Sequence, residues 1–332
     1  MIADAHNDFL LAVAARRRDD NPFAATTLGP LRAGEVGMQV CPISVDLDQE
    51  PRAPLFALLE QVTSFARAVR ENEDAVVAVA RRSDLDAVEA GSRIGLMLSM
   101  EDCSAFGRDL DWVEMFWELG VRMVSLTWNR RNLYADGGAE KVDGGLSELG
   151  RRLVDRLVAA GMIIDLAHAS RRTFFDVLGQ APAATVVVSH ACCRAVYDVP
   201  RNLDDDQLRA LAERGGVLGL MVLPLAVDPR TPTLARFVDH LDHAVATIGI
   251  DNVGLGADFM RQIVEAGVED PTPGDAYLGP GARIDDDIDG VSGPEHFGLL
   301  VDALRARGYE GDRLAAITHG NLVRVLRAGL PA

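Results

Sequence analysis

Lysine is almost missing from this chain: Lys141 is the only one in 332 residues, and basic character comes from arginine. Even so, 33 basic residues face 50 acidic ones, a formal net charge of −17 at pH 7. That balance disfavours nucleic acid as a partner, because no basic surface offsets repulsion from phosphates. Small molecules are the expected partners. No apolar run approaches the ~20 residues that a membrane helix needs, and the N-terminus lacks a basic segment followed by an apolar one. The reading is a cytoplasmic protein with no membrane association. Cysteine is sparse too. Cys41, Cys103, Cys192 and Cys193 form no CxxC pair and no disulfide-dense pattern, so reduced, structural thiols are expected. Linkers rich in proline and serine are absent, as are internal repeats, which favours a single domain over residues 1–332.

What is present is core material, 48% hydrophobic residues against 25% charged. Eight short β-rich runs recur: IADAHND (2–8), GMQVCPISV (37–45), RIGLMLSME (93–101), VRMVSLTW (121–128), MIIDLAHA (162–169), TVVVSHA (185–191), GVLGLMVL (216–223) and NVGLGADF (252–259). Between most of them lie helical patterns such as LGRRLVDRLVAAG (149–161) and LARFVDHLDHAVATIG (234–249), several followed by glycine. Alternating strands and helices imply parallel pairing, and eight strands imply a closed (β/α)8 TIM-like barrel, an α/β fold. The stretch over about 260–295, rich in proline, glycine and aspartate, is expected as a long loop after the last strand. It is either a lid or a solvated acidic insertion.

In such barrels, chemistry gathers at the C-terminal ends of the strands. His6 and Asp8 end the first run, Glu101 the third, His168 the fifth, His190 the sixth and Asp258 the eighth. Two apart in a strand, His6 and Asp8 share a face, that of the barrel axis if Ile2 and Asp4 also point there. Buried charges without partners cost several kcal/mol, so a shared cation is the economical explanation. Three imidazoles with carboxylates suit zinc. Five ligands exceed one catalytic zinc with an open position, whereas two metals sharing a carboxylate fit, with a bridging water or hydroxide as nucleophile. Glu101 is the better bridge, since Lys141 lies well beyond the fourth run in a polar loop. His240 and His243, at i, i+3 on a helical pattern, are read as structural or surface groups, as are His319 and His296. His296 would approach the site only if the long loop folds over it. Asp4 is either support for a ligand or a strand-start charge.

In order and spacing, DAHND, SMED, IDLAHAS, VVSHACCRAV, PRNLDDDQL, GLGADF and HGNLVRVL resemble the landmarks of the renal (membrane) dipeptidase family, peptidase M19, in its shorter soluble bacterial form. The resemblance runs nearly the whole chain. It implies a binuclear zinc peptidase that hydrolyses dipeptides, often with a D-residue at the C-terminal position, and commonly a homodimer. By matching motif, His6 and Asp8 would bind one zinc, His168 and His190 the other, and Glu101 would bridge them. Asp258 would carry the proton from the bridging water to the leaving amine, and Arg201 would pair with the substrate carboxylate. Three positions depart from the family pattern. Trp128 stands where the renal enzyme has a carbonyl-polarising histidine, with Asn129 or zinc as the substitute; DFMR replaces DFDG, placing Met260 and Arg261 at the mouth; and Leu223 replaces a tyrosine. Two other readings stay open, a binuclear zinc amidohydrolase for a non-dipeptide amide or specialised metabolite, and a barrel that binds without catalysis.

Overall fold

The computed structural model describes residues 1–45, 54–91, 93–269 and 283–332. Nine strands are present among them: β1 (Ile2–Asp4), β2 (Val36–Ile43), β3 (Val76–Ala78), β4 (Ile94–Met100), β5 (Met123–Ser125), β6 (Ile163–Asp165), β7 (Val186–Ala191), β8 (Leu218–Leu220) and β9 (Val253–Leu255). The sheet runs β2-β1-β9-β8-β7-β6-β5-β4, and a β2–β4 pairing closes those eight strands into a parallel barrel. The expected (β/α)8 architecture is therefore present, as one barrel.

β3 is the strand that the sequence reading missed. It pairs with Ile94–Leu96 of β4, while β5 takes the same edge further along, at Ser99 and Met100. Three apolar residues between helices Pro54–Glu71 and Arg82–Glu89 carry no periodicity that separates strand from helix.

The helices form for identifiable reasons. In Glu148–Ala160, Leu153, Val154 and Leu157 make a buried stripe; the Ser147 hydroxyl accepts the Gly150 N–H at 3.0 Å, and Gly161 ends the helix in the left-handed region at φ 78°. Asp204 caps Asp205–Glu213 in the same way, with Gln207 reaching back to close a capping box. Among the described residues no helix is long and apolar enough to cross a membrane.

Two apolar layers result. Ile2, Val36, Ile43, Val124 and Leu220 belong to a large cluster shared with the surrounding helices. Ala3, Met38, Val40, Met97, Met123, Ile163 and Val187 form a second cluster with Leu322, Val323 and Leu326 of the C-terminal helix Asn321–Gly329. That helix sits at the strand starts, with Gly329 against Ile163 at the head of β6. One end of the barrel is thus plugged with apolar side chains, which leaves the strand ends for polar chemistry.

The loop expected over 260–295 is not continuous. It opens with a short helix, Arg261–Glu265, and ends in a 3-10 turn, Pro294–His296; residues 270–282 lie outside the described residues.

Candidate metal centre

Glu101 follows β4 directly, His190 is the fifth residue of β7, and His168 and Asp258 each stand three residues past a strand end, those of β6 and β9. Both of these last two have left-handed backbone, φ 62° and 60°. For a residue with a Cβ that conformation costs ~1–2 kcal/mol, and it concentrates where side chains are aimed at a site. The first run behaves differently from its reading. β1 stops at Asp4; Ile2 packs in the outer layer while Ala3 and Ala5 face the inner one. Strand alternation therefore does not bring His6 and Asp8 together. The chain turns after Asp4, and Asp8 stands at the N-cap of helix Phe9–Ala15 without using its carboxylate as the cap.

The side chains nonetheless converge. His6 Nε2 lies 3.3 Å from Asp8 Oδ2, 3.7 Å from Glu101 Oε2 and 3.8 Å from Asp258 Oδ1. Glu101 Oε1 lies 3.1 Å from His168 Nε2 and 3.5 Å from His190 Nε2. The two Glu101 oxygens thus face two different sets of groups. Two overlapping trios could each hold an ion, His6 with Glu101 and His190, and His6 with Asp8 and Asp258.

The donor chemistry can be tested for fit to a cation. His168 and His190 bring their Nε2 atoms within 2.8 Å of each other. Asn129 Oδ1 faces His168 Nδ1 at 2.9 Å, and Ser189 Oγ faces His190 Nδ1 at 2.7 Å, with the Ser189 hydroxyl donating to Asp165 Oδ2. Each Nδ1 then carries the proton, and both Nε2 lone pairs point at one spot beside a carboxylate. His6 Nε2, Asp8 Oδ1 and Glu101 Oε1 are buried without a hydrogen-bond partner. Lone pairs and carboxylate oxygens converging in a buried pocket fit a divalent cation.

Electrostatics among the side chains follow from burial. Burial alone would hold His6 neutral, but Asp8 and Glu101 outweigh it and lift its pKa to about 10. His168 and His190 are driven well below the ordinary imidazole value by burial, with Arg201 and His6 adding repulsion. Burial pushes Glu101 well up and Asp258 up to about 6, against the pull of His6.

Around this centre lies a cleft of about 660 Å³, lined on one side by Met221, Leu223, Leu225 and Ile284. An adjoining lobe of about 410 Å³ reaches Leu11, Val45 and Ile263. Among the described lining residues Arg201 is the only arginine or lysine. It is buried, donating from Nη2 to the His190 carbonyl at 2.7 Å and lying 3.2 Å from His168 Nε2. Trp128 lines the rim, 38% exposed, its ring 6.3 Å from that of His168.

Among the remaining sequence expectations, those for Asn129 and Arg261 meet a different arrangement. Asn129, expected at the substrate, lines the cleft but has its side-chain oxygen engaged by His168. Met260 and Leu223 line the cleft; Arg261 instead turns to Asp287, at 2.8 Å. His296 stands at the N-cap position of helix Phe297–Ala306, its Nδ1 facing Ser292 N at 3.4 Å, and does not line the cleft. His240 is buried behind β7, and His243 pairs with Asp205 at 2.8 Å. Asp4 supports the site from behind: its Oδ1 accepts Ala257 N at 2.8 Å and its Oδ2 accepts Gln39 Nε2 at 2.9 Å, while burial lifts its pKa to about 6. Asp165 and Ser189 were missed, although IDLAHAS and VVSHA contain them; a serine before a histidine carries no signal until the fold turns both side chains toward one partner.

The chain is 28% identical over 351 residues to the dipeptidase aclJ of Aspergillus oryzae, covering 98% of this chain and 77% of that protein. It is 31% identical over 274 residues to the dipeptidase verJ of Clonostachys rogersoniana, covering 82% and 65%. A metallo peptidase from Rhodobacter sphaeroides, solved with a phosphinate mimic of L-Ala-D-Ala, superimposes with a TM-score of 0.84 at 22% identity over 99% of both chains, a likeness of fold. The model of the membrane dipeptidase family, peptidase family M19, matches residues 1–274, and the chain belongs to that family.

Proposed function

We propose that this protein is a zinc-dependent dipeptidase that hydrolyses short L,L- and L,D-dipeptides. The observation that carries the reading is the convergence of the His168 and His190 lone pairs on one Glu101 oxygen while His6 faces the other. In this reading His6, Asp8 and Glu101 hold one zinc, and Glu101, His168 and His190 hold the second. Bound there, two zinc ions supply Lewis acidity toward the peptide carbonyl and an acidified water as nucleophile. In the same reading Asp258, within 3.9 Å of both His6 and His190, accepts the proton of the attacking water and returns it to the departing amine. Arg201 offers the cleft's guanidinium to the substrate carboxylate, a planar donor suited to a planar acceptor. Depth in the barrel mouth and the apolar wall keep bulk water from competing for these contacts.

The same apolar wall, with Trp128 at the rim, supports a second reading, an amide substrate other than a dipeptide. A panel of L,L- and L,D-dipeptides, together with their N-acetyl and C-terminal amide derivatives, separates the two. Cleavage that is abolished by chelator and requires both free termini is expected. Indifference to either terminus would replace the dipeptidase reading with the broader amidase one, and a zinc-loaded protein inert toward the whole panel would overturn the dipeptidase reading.

A further inference from the structure

Behind His190 lies a buried chain of groups that does not line the cleft. Asp165, 5% exposed, receives three hydrogen bonds: from Ala167 N at 3.0 Å, from Ser189 N at 2.9 Å, and from the Ser189 hydroxyl. Ser189 Oγ in turn lies 2.7 Å from His190 Nδ1. A carboxylate only accepts, so the single hydroxyl proton of Ser189 is committed to Asp165. What Ser189 then turns toward His190 is a lone pair, and a lone pair there requires the proton on Nδ1. The backbone of Ser189 is held as firmly. Its carbonyl oxygen packs so closely on Gly219 and Gly256 that a Cβ at either position would collide with it.

We infer that Asp165, acting through Ser189, is a positioning residue that fixes the tautomer of His190 and so presents its Nε2 lone pair to one of the two zinc positions. The inference rests on the metallopeptidase reading for its consequence, though not for its geometry. It makes the two positions unequal, because the relay serves His190 and leaves Asp8 and the His6 side untouched. It also predicts an order among variants. S189A removes the acceptor and leaves Nδ1 without a partner. D165N does more: its amide Nδ2 donates to Ser189, which frees the hydroxyl proton to point at His190 Nδ1 and favours the tautomer whose Nε2 carries a hydrogen and cannot ligate.

The experiment has two arms. In ¹⁵N-histidine-labelled protein stripped of metal, the His190 nitrogens report the tautomer directly; a protonated Nδ1 and a bare Nε2 are expected in the wild type, with the assignment reversed in D165N. In zinc titrations against a chromophoric chelator, the wild type should take up two equivalents. S189A should weaken one of them by about 10–100-fold and leave the other within about twofold, and D165N should weaken that same equivalent further. Equal weakening of both equivalents, no change in either, or a smaller effect in D165N than in S189A would overturn the relay. A wild type that binds no zinc would instead defeat the metallopeptidase reading. The relay would then be decided by the nitrogen shifts, and a His190 proton on Nε2 in the wild type would overturn it. Should D165N fail to fold, S189A and the wild-type spectrum decide the matter.

Discussion

Asp258 and His240 are buried titratable groups in two different surroundings. Asp258 lines the cleft and stands 3.8 Å from His6 and 3.9 Å from His190. D258N is expected to retain zinc and to lose about 10²–10⁴-fold in kcat; near-normal turnover by a zinc-loaded variant would remove Asp258 from the mechanism. His240 is the structural counterpart. Its Nδ1 accepts the Cys193 N–H at 3.0 Å and its Nε2–H donates to the Val227 carbonyl at 2.8 Å, so the neutral ring is fully paired. Burial pushes its pKa down to about 4. A folded value below the unfolded one near 6.5 means that this contribution is intact above pH 6.5 and declines as pH falls toward 4. Between pH 7 and pH 4.5 the wild type should lose about 2 kcal/mol more stability than H240Q. Parallel pH–stability curves for the two proteins would show that His240 is not the group responsible.

At the scale of elements, the site depends on how closely β7, β8 and β9 approach one another. Gly219 in β8 and Gly256 just after β9 both press on the Ser189 carbonyl, one residue from His190. No side chain fits there, so the backbone that carries His190 is clamped between glycines. G256A should lower stability by about 1–3 kcal/mol, since the obstruction is main chain and cannot swing aside. Thermal melts in the absence of metal are the check, and a variant that melts with the wild type would show that the strands can part without penalty. The expected strands also shorten at this scale. The runs reading 2–8, 162–169 and 252–259 form regular strand only over Ile2–Asp4, Ile163–Asp165 and Val253–Leu255. Alternation was legible, but the point at which each chain leaves the sheet was not, because a residue such as His168 or Asp258 in the left-handed region carries no glycine to announce it.

For the whole molecule, the closed barrel brings Asp8, Glu101 and Asp258 together in one buried pocket although they are far apart in sequence. Mutual repulsion of the carboxylates opposes folding, and a cation that binds only the folded chain offsets it. Saturating zinc, at about 100 times Kd, should add about 2.7 kcal/mol of stability and raise Tm by several degrees. Calorimetry with and without chelator measures the shift. An unchanged Tm would mean that the pocket does not take up the metal.

The sequence by itself determined the parallel barrel and the residue types at its open end. Hydrophobic runs of fixed length alternate with helical stripes, and the ionisable residues recur where those runs stop. Those patterns are local and survive without coordinates. The tertiary structure alone decided the third strand, the turn that brings His6 onto Asp8, the opposed facing of the two Glu101 oxygens, the capture of Asn129 by His168 and the Asp165–Ser189–His190 relay. Each depends on where a side chain points after the chain has left its regular strand, and that direction is set by packing between segments distant in sequence rather than by the period of any one of them.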